Sequence, residues 1–153
     1  MTSGITIRAA EHTDIEELIG AYSWLFASPG AEPATWDERR AAVALRQAME
    51  FHDSAVLVAT GEDDRIIGFV TGYLDIHSVR FGYRCWVEDL AVDPELRSRG
   101  VGSQLMGAIR GWARERGATH LELDSADVRA DAHRFYEREG GDGGSRSFRW
   151  DPA

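Results

Sequence analysis

The chain contains a single cysteine, Cys85, and no lysine among its 153 residues. One cysteine excludes an internal disulfide and is typical of a protein from a reducing compartment, so we expect a cytoplasmic location. No apolar run approaches the roughly 20 residues that a membrane-spanning helix requires. The N-terminal segment also lacks the basic region followed by an apolar stretch that is typical of a signal peptide, so we expect none. We therefore expect no membrane partner, and we interpret Cys85 as a buried strand residue rather than a nucleophile.

Positive charge is also scarce. The formal net charge is −9, and all 17 basic residues are arginine. An acidic surface disfavours binding to nucleic acid or to an anionic membrane. Hydrophobic residues make up 43% of the chain, which is enough for a folded core, and no repeat or linker divides the sequence. We predict one domain over residues 1–153.

Hydrophobic periodicity predicts alternating strands and helices. The first helix is expected from Ile15 to Phe26, and the second is expected to begin with Thr35 as its N-cap and Glu38 completing a capping box. Strands are predicted at residues 5–8, 55–60, 65–76, 83–92, 120–123 and 147–150. Two later helices are predicted, one after Gly100 and one over residues 130–139. This order predicts an α/β fold in which helices cover both faces of a mixed sheet.

The central feature is a strand, a turn and the start of a helix. Asp93 and Pro94 end the strand, and Arg97-x-x-Gly100-x-Gly102 follows. Glycines allow backbone N–H groups to converge at a helix N-terminus, which favours a bound phosphate or pyrophosphate. The alternative is a junction whose glycines serve packing alone. Neither a Gly-x-Gly-x-x-Gly fingerprint nor a Gly-Lys-Ser/Thr loop is present.

With the preceding Leu90-Ala91-Val92, this segment resembles the acyl-CoA-binding motif of the GNAT N-acetyltransferase superfamily. The segment 132–140, Ala-His-Arg-Phe-Tyr-Glu-Arg-Glu-Gly, resembles the C-terminal Phe-Tyr-Glu-x-x-Gly segment of that family. The resemblance implies a central mixed sheet of about six to seven strands and an acetyl-CoA-dependent N-acetyltransferase. A homodimer through the C-terminal strands is a further expectation from the resemblance.

The resemblance also assigns the residues that contact acetyl-CoA. The pantetheine arm is expected to pair with the free backbone groups of Leu90 and Val92, with Ala91 between them. The pyrophosphate is expected at the turn and the first residues of the helix, namely Arg97, Ser98, Arg99, Gly100, Val101, Gly102 and Ser103.

Two residues are candidates for the proton transfers. Glu88 precedes Leu90 by two positions, so strand alternation predicts that both share one face, with Asp89 on the other. We expect Glu88 to act as the base for the attacking amine, directly or through water; alternatively, it only binds the ammonium group. Tyr136 matches the family tyrosine that protonates the leaving thiolate; alternatively, it is an aromatic core residue.

The acceptor is expected to be a small cationic molecule with a primary amine, such as an aminoglycoside-type antibiotic. Candidate binding residues are Trp24, Asp75, Trp86 and Glu88, because aromatic rings and carboxylates suit a partly apolar cation. A polyamine, an amino-acid derivative or a peptide N-terminus fits the same residues. A non-catalytic acyl-CoA sensor is the alternative from another class of protein. No residue spacing indicates a metal site.

Overall fold

A computed structural model describes residues 4–126 and 129–152. The contacts divide the chain into two compact units, Met1–Leu123 and Asp124–Ala153. Among the described residues, no helix is both long enough and apolar enough to cross a bilayer.

The first unit contains one five-stranded sheet with the strand order β1-β2-β3-β4-β5. The strands are β1 (Thr6–Ala9), β2 (Ser54–Thr60), β3 (Ile66–Ser78), β4 (Gly82–Val92) and β5 (His120–Glu122). The first four strands pair antiparallel, and β5 joins β4 in parallel. The sheet is therefore mixed, as the order of elements predicted.

The helices of this unit are α1 (Ile15–Ala21), α2 (Ser23–Phe26), α3 (Glu38–Glu50) and α4 (Val101–Glu115). The expected first helix is thus interrupted at Tyr22. The expected N-cap Thr35 is wrong, because α3 begins after Asp37, whose carboxylate accepts the N–H of Arg40 at 3.0 Å. Aspartate is at least as good an N-cap as threonine, and here it lies next to the first helical residue.

Helices cover both faces of the sheet, as expected. On one face, Leu18 of α1 and Leu45 of α3 pack with Phe69 of β3. On the other face, α4 approaches β3 at its glycines: a Cβ atom at Gly72 would lie 2.7 Å from Cδ1 of Ile109. The glycine leaves room for the helix, so the sheet is sandwiched between two helical layers.

Two β-bulges interrupt the β3–β4 ladder. Thr71 pairs with Asp89 but Gly72 pairs with Val87, so Glu88 is an extra residue on β4. Further along, Leu74 pairs with Cys85 and Ile76 with Arg84, which leaves Asp75 as an extra residue on β3. The two acidic residues expected to serve the acceptor are therefore both bulge residues. Bulges re-aim side chains and are frequent next to active sites.

The expected six to seven strands are a slight overestimate, since the described residues form five. The second unit contains α5 (Ala130–Arg138) and no strand within its described residues. The strand predicted at residues 147–150 is absent, and its aromatic residues Phe148 and Trp150 are 73% and 79% exposed. Aromatic residues favour a strand only where they can pack on neighbours. The single domain over residues 1–153 stays a prediction.

Candidate active site

The bulge at Glu88 changes the face of the sheet to which the odd-numbered side chains of β4 point. Cys85 packs with Ala113 of α4, whereas Ala91 packs in the cluster around α1 and α3, although both positions are odd-numbered. One inserted residue produces this change of face. The prediction that Glu88 shares a face with Leu90 is therefore wrong, because uninterrupted alternation does not hold across a bulge.

Glu88 instead lies beside Trp86, whose indole Nε1–H donates to the Glu88 carboxylate at 2.5 Å. The Glu88 side chain is exposed. Trp86 is opposite Tyr73 of β3, which packs against the α1–α3 cluster. Trp86 and Glu88, two of the predicted acceptor residues, are thus brought together on the α1 side of the sheet.

Arg84 links these residues to the third predicted acceptor residue. Its guanidinium binds Asp75 in bidentate fashion, at 3.0 and 2.8 Å, and binds Glu122 at 3.1 Å. The guanidinium carbon also lies 4.9 Å from the centre of the Trp86 ring. The charge of Asp75 is therefore balanced within the protein. Arg84 also packs on the Trp86 indole, which donates a hydrogen bond to Glu88.

Asp89 lies on the same side as Glu88, contrary to the sequence expectation. Its Oδ2 accepts a hydrogen bond of 2.6 Å from the hydroxyl of Tyr22, the residue between α1 and α2. Burial raises the pKa of Asp89, and the Glu88 charge raises it further, while the Tyr22 hydrogen bond lowers it. Burial, followed by the charge of Asp89, raises the pKa of Tyr22 well above its usual value. Tyr22 therefore stays protonated and acts as a donor.

Aromatic rings pack around Tyr22, the hydrogen-bond donor to Asp89. The Tyr22 ring stacks on Trp36 with centroids 5.5 Å apart and lies 4.8 Å from Phe69. Phe26 packs edge-on against Trp36 at 4.8 Å. Trp24, the fourth predicted acceptor residue, stacks on Phe69 with ring centroids 6.5 Å apart.

One edge of β4 is open beyond Trp86. The parallel ladder with β5 ends at the Trp86–Glu122 pair, and no strand of the described residues continues it. The N–H of Asp93 donates to Ile67 of β3 at 2.9 Å. Because backbone groups alternate in direction along a strand, those of Leu90 and Val92 point to the open edge. This edge fits an extended amide-containing arm.

The loop after β4 presents backbone donors and two exposed guanidinium groups. Ser98 and Gly100 have positive φ values of 66° and 84°, and Gly100 is the N-cap of α4. The N–H groups in the first turn of an α-helix have no preceding helical carbonyl, and the positive end of the helix dipole lies there. Arg97 and Arg99 are both exposed in this loop. The residues predicted for pyrophosphate binding are thus adjacent and suited to an anion.

Two further residues were singled out from the sequence, Tyr136 and Cys85. Tyr136 is in α5 of the second unit, and its ring packs edge-on against Phe135 at 5.4 Å. Cys85 is fully buried, and burial raises the pKa of its thiol to about 11. A thiol in that state is not a nucleophile at neutral pH, in agreement with its interpretation as a core residue.

A mixed sheet whose central strand has an open edge, followed by a helix start suited to an anion, is the arrangement that the resemblance to N-acetyltransferases implies. The model of the acetyltransferase (GNAT) family matches residues 17–141, and the chain belongs to that family. This assignment confirms the family predicted from the sequence, whereas the predicted activity and co-substrate, N-acetyl transfer from acetyl-CoA, stay proposals for this chain.

Curated relatives match part of the chain. Streptothricin acetyltransferase of Streptomyces lavendulae is 38% identical over 88 residues, which cover 58% of this chain and 44% of the relative. Aminoalkylphosphonate N-acetyltransferase of Salmonella typhimurium is 35% identical over 75 residues, or 49% of each protein. The chain thus spans about half the length of these two relatives.

Solved structures share the fold over almost the whole chain. The aminoglycoside N-acetyltransferase AAC(6')-Iy, in complex with a bisubstrate analogue, superposes with a TM-score of 0.83 at 19% identity and 99% coverage of both chains. The aminoglycoside 6'-N-acetyltransferase AAC(6')-Ih from Acinetobacter baumannii gives a TM-score of 0.82 at 16% identity, covering 98% of this chain and 99% of that one. At these identities the likeness concerns the fold.

Sequence reasoning missed the pairing of Tyr22 with Asp89 and the role of Arg84 behind Trp86. The first joins residues that are 67 positions apart, and no local pattern reports such a contact. A signal for the second was present, since Asp75 and Arg84 flank a hairpin in which opposite charges often pair across strands.

Proposed function

We propose that this protein transfers the acetyl group of acetyl-CoA to a primary amine of a small cationic molecule. The observation that carries the proposal is the position of the Glu88 bulge. It places two carboxylates immediately before the open edge of β4, and the anion-binding loop follows that edge. Acyl donor and amine acceptor can then meet at one strand.

In the proposed reaction, Glu88 takes a proton from the ammonium form of the acceptor, directly or through water. The free nitrogen lone pair then forms the C–N bond at the thioester carbonyl, and the C–S bond breaks as the tetrahedral intermediate collapses. Tyr136 is assigned to the next step by its sequence motif alone. It supplies a proton to the departing thiolate and regains one from the amine nitrogen through solvent. The products are an amide, CoA thiol and one proton.

The loop from Arg97 to Ser103 would hold the pyrophosphate of the co-substrate. Its backbone N–H groups and the Arg97 and Arg99 side chains complement negative charge. The backbone of Leu90 and Val92 would hold the pantetheine arm in an extended form. Both contacts bind the donor and orient its carbonyl carbon toward the side of Glu88.

The charge around the site supports a cationic acceptor. Glu88 and Asp89 are adjacent carboxylates, and within the described residues no arginine or histidine forms an ion pair with either one. Trp86 and the rings near Tyr22 supply apolar surface. The names of the relatives, which include acetyltransferases of streptothricin and of aminoglycosides, favour an antibiotic-type amine. A homodimer stays a prediction.

The test is release of CoA thiol from acetyl-CoA over a panel of aminoglycosides, streptothricin, polyamines, aminoalkylphosphonates and short peptides. We expect turnover with one cationic class and its reduction in Tyr136→Phe, with acetyl-CoA binding unchanged. Phe135→Leu is the control, because it removes a neighbouring ring without removing a proton donor. Binding of acetyl-CoA without thiol release from any amine would favour the acyl-CoA sensor instead.

A further inference from the structure

The Asp89 carboxylate differs from the other shielded carboxylates of the first unit in its partner. Asp14 is bonded to Arg8 and Asp93 to Arg65. Asp89 has a neutral donor, the Tyr22 hydroxyl at 2.6 Å, and a second carboxylate beside it. No ion pair within the described residues balances its charge.

The Tyr22 side chain is held firmly enough to direct that hydrogen bond. Its ring is packed between Trp36 and Phe69, and the backbone N–H of Tyr22 is bonded into the end of α1. A packed ring with a single terminal hydroxyl loses little rotamer freedom when it donates. The Tyr22 hydroxyl therefore fixes the carboxylate of a residue in the bulged segment of β4.

We infer that Tyr22 is a positioning residue of the proposed acetyl transfer, acting through Asp89. In this role the Tyr22 hydroxyl favours the charged form of the Asp89 carboxylate and orients it beside Glu88, where it attracts the acceptor ammonium toward the base. The inference rests on the proposed function. It adds a residue of the α1–α2 junction, remote in sequence from the acetyl-CoA motif, to the machinery of the reaction.

The expected signature of this role is a pH dependence. The titratable groups that face Asp89 are Tyr22 from the α1–α2 junction, Tyr73 from β3 and Glu88 from β4 itself. Since the Tyr22 hydrogen bond lowers the pKa of Asp89, its loss in Tyr22→Phe raises that pKa. The variant therefore loses the charged carboxylate at a higher pH than the wild type does.

The experiment measures kcat/KM for one amine against pH in the wild type and in Tyr22→Phe. Using the same amine removes the amine's own ionisation from the ratio of the two. We expect the ratio of kcat/KM in Tyr22→Phe to kcat/KM in the wild type to fall as the pH is lowered. The acid limb of the variant's profile should lie about half to one pH unit above that of the wild type. In the Asp89→Asn background, Tyr22→Phe is expected to cause no further pH-dependent change.

Tyr73→Phe is the matched control, because it removes a hydroxyl from the same side of the sheet. Within the described residues Tyr73 makes no hydrogen bond to Asp89. The ratio of kcat/KM in Tyr73→Phe to kcat/KM in the wild type should therefore not change with pH. A parallel titration of the side-chain carboxyl carbons by NMR, with Asp89 identified from Asp89→Asn, reads the same displacement without turnover.

The outcomes separate the two proposals. Turnover with a ratio that is lowered equally at every pH, or an unmoved Asp89 titration in Tyr22→Phe, would show a purely structural role and overturn the inference alone. Absence of turnover in the wild type with every amine would overturn the proposed function, and the positioning role with it. A displaced titration together with a displaced rate profile supports both.

Discussion

The indole Nε1–H of Trp86 donates to the carboxylate of Glu88 two residues further along β4. Glu88 is the extra residue of the β-bulge, so this hydrogen bond, and not strand alternation, holds its side chain on the side of Trp86. Glu88 is exposed, and the hydrogen bond restricts where its carboxylate can be. The bond therefore links the candidate base to Trp86, whose ring packs against the Arg84 guanidinium.

Glu88→Gln should remove the base while preserving the shape of the site. We expect kcat for amine acetylation to fall about 10²- to 10⁴-fold, the usual contribution of a positioned general base. Acetyl-CoA affinity, measured by calorimetry, should be unchanged. Glu115→Gln, at the far end of α4, is the charge-matched control. Loss of less than threefold in kcat would assign Glu88 to ammonium binding alone.

Trp86→Phe should keep an aromatic ring on β4 but remove the donor to Glu88. We expect kcat/KM to fall about three- to tenfold, because one hydrogen bond to a partly exposed carboxylate contributes on the order of 1 kcal/mol. In the Glu88→Gln background the same substitution should have a smaller effect. A double-mutant cycle of steady-state rates measures this coupling, and full additivity would show that the bond plays no part.

Gly102→Asp separates helix stability from anion binding. A carboxylate in the first turn of α4 stabilises the helix by about 0.3–1 kcal/mol through the helix dipole, so the melting temperature should not fall. The same charge should repel the pyrophosphate and weaken acetyl-CoA binding by at least about tenfold. Gly102→Asn has the same shape without the charge. Equal affinities for the two variants would place the pyrophosphate elsewhere.

Gly72→Ala should destabilise the packing of α4 on the sheet. The added Cβ would lie 2.7 Å from Cδ1 and 3.0 Å from Cγ1 of Ile109. We expect a loss of about 1–3 kcal/mol in the free energy of unfolding, as is usual for overpacking. Ile109→Val removes the Cδ1 atom, so the double variant should recover part of that loss. Urea denaturation measures both, and a double variant less stable than the sum of the single changes would contradict this account.

Asp14→Asn should reduce stability at neutral pH and much less in acid. Asp14 is 8% exposed, and its carboxylate accepts hydrogen bonds from Arg8 at 2.7 and 3.0 Å. The Arg8 hydrogen bonds lower the pKa of Asp14, so the stabilisation is complete above the unfolded value of about 3.9. It is lost as the pH falls from there through the lower folded value.

Urea denaturation at pH 7 should show a deficit of about 1–3 kcal/mol for Asp14→Asn, since hydrogen bonds to charged groups contribute in that range. The deficit should shrink as the pH falls below about 3.9. Glu16→Gln, an exposed change in the first turn of α1, is the control. A deficit that is constant with pH would mean that the carboxylate charge makes no net contribution.

Sequence patterns were sufficient to predict the family and the mixed sheet between two helical layers, and they predict an anion site at the start of α4. These follow from short-range signals: apolar periodicity over β2 and α4, the stop at Asp93-Pro94, and the spacing of Arg97, Gly100 and Gly102. Each depends on residues close together in the chain, where backbone propensity and side-chain spacing act directly.

Only the folded structure shows which side chains of β4 lie on the same side of the sheet as Trp86. Glu88 was predicted from its distance to Leu90, but the pairing of Gly72 with Val87 makes it a bulge residue and brings Asp89 to the same side. A bulge depends on how two strands pair, and Tyr22 reaches Asp89 only because α1 packs across the sheet. Such long-range contacts leave no periodic trace in the sequence, so only the folded structure shows them.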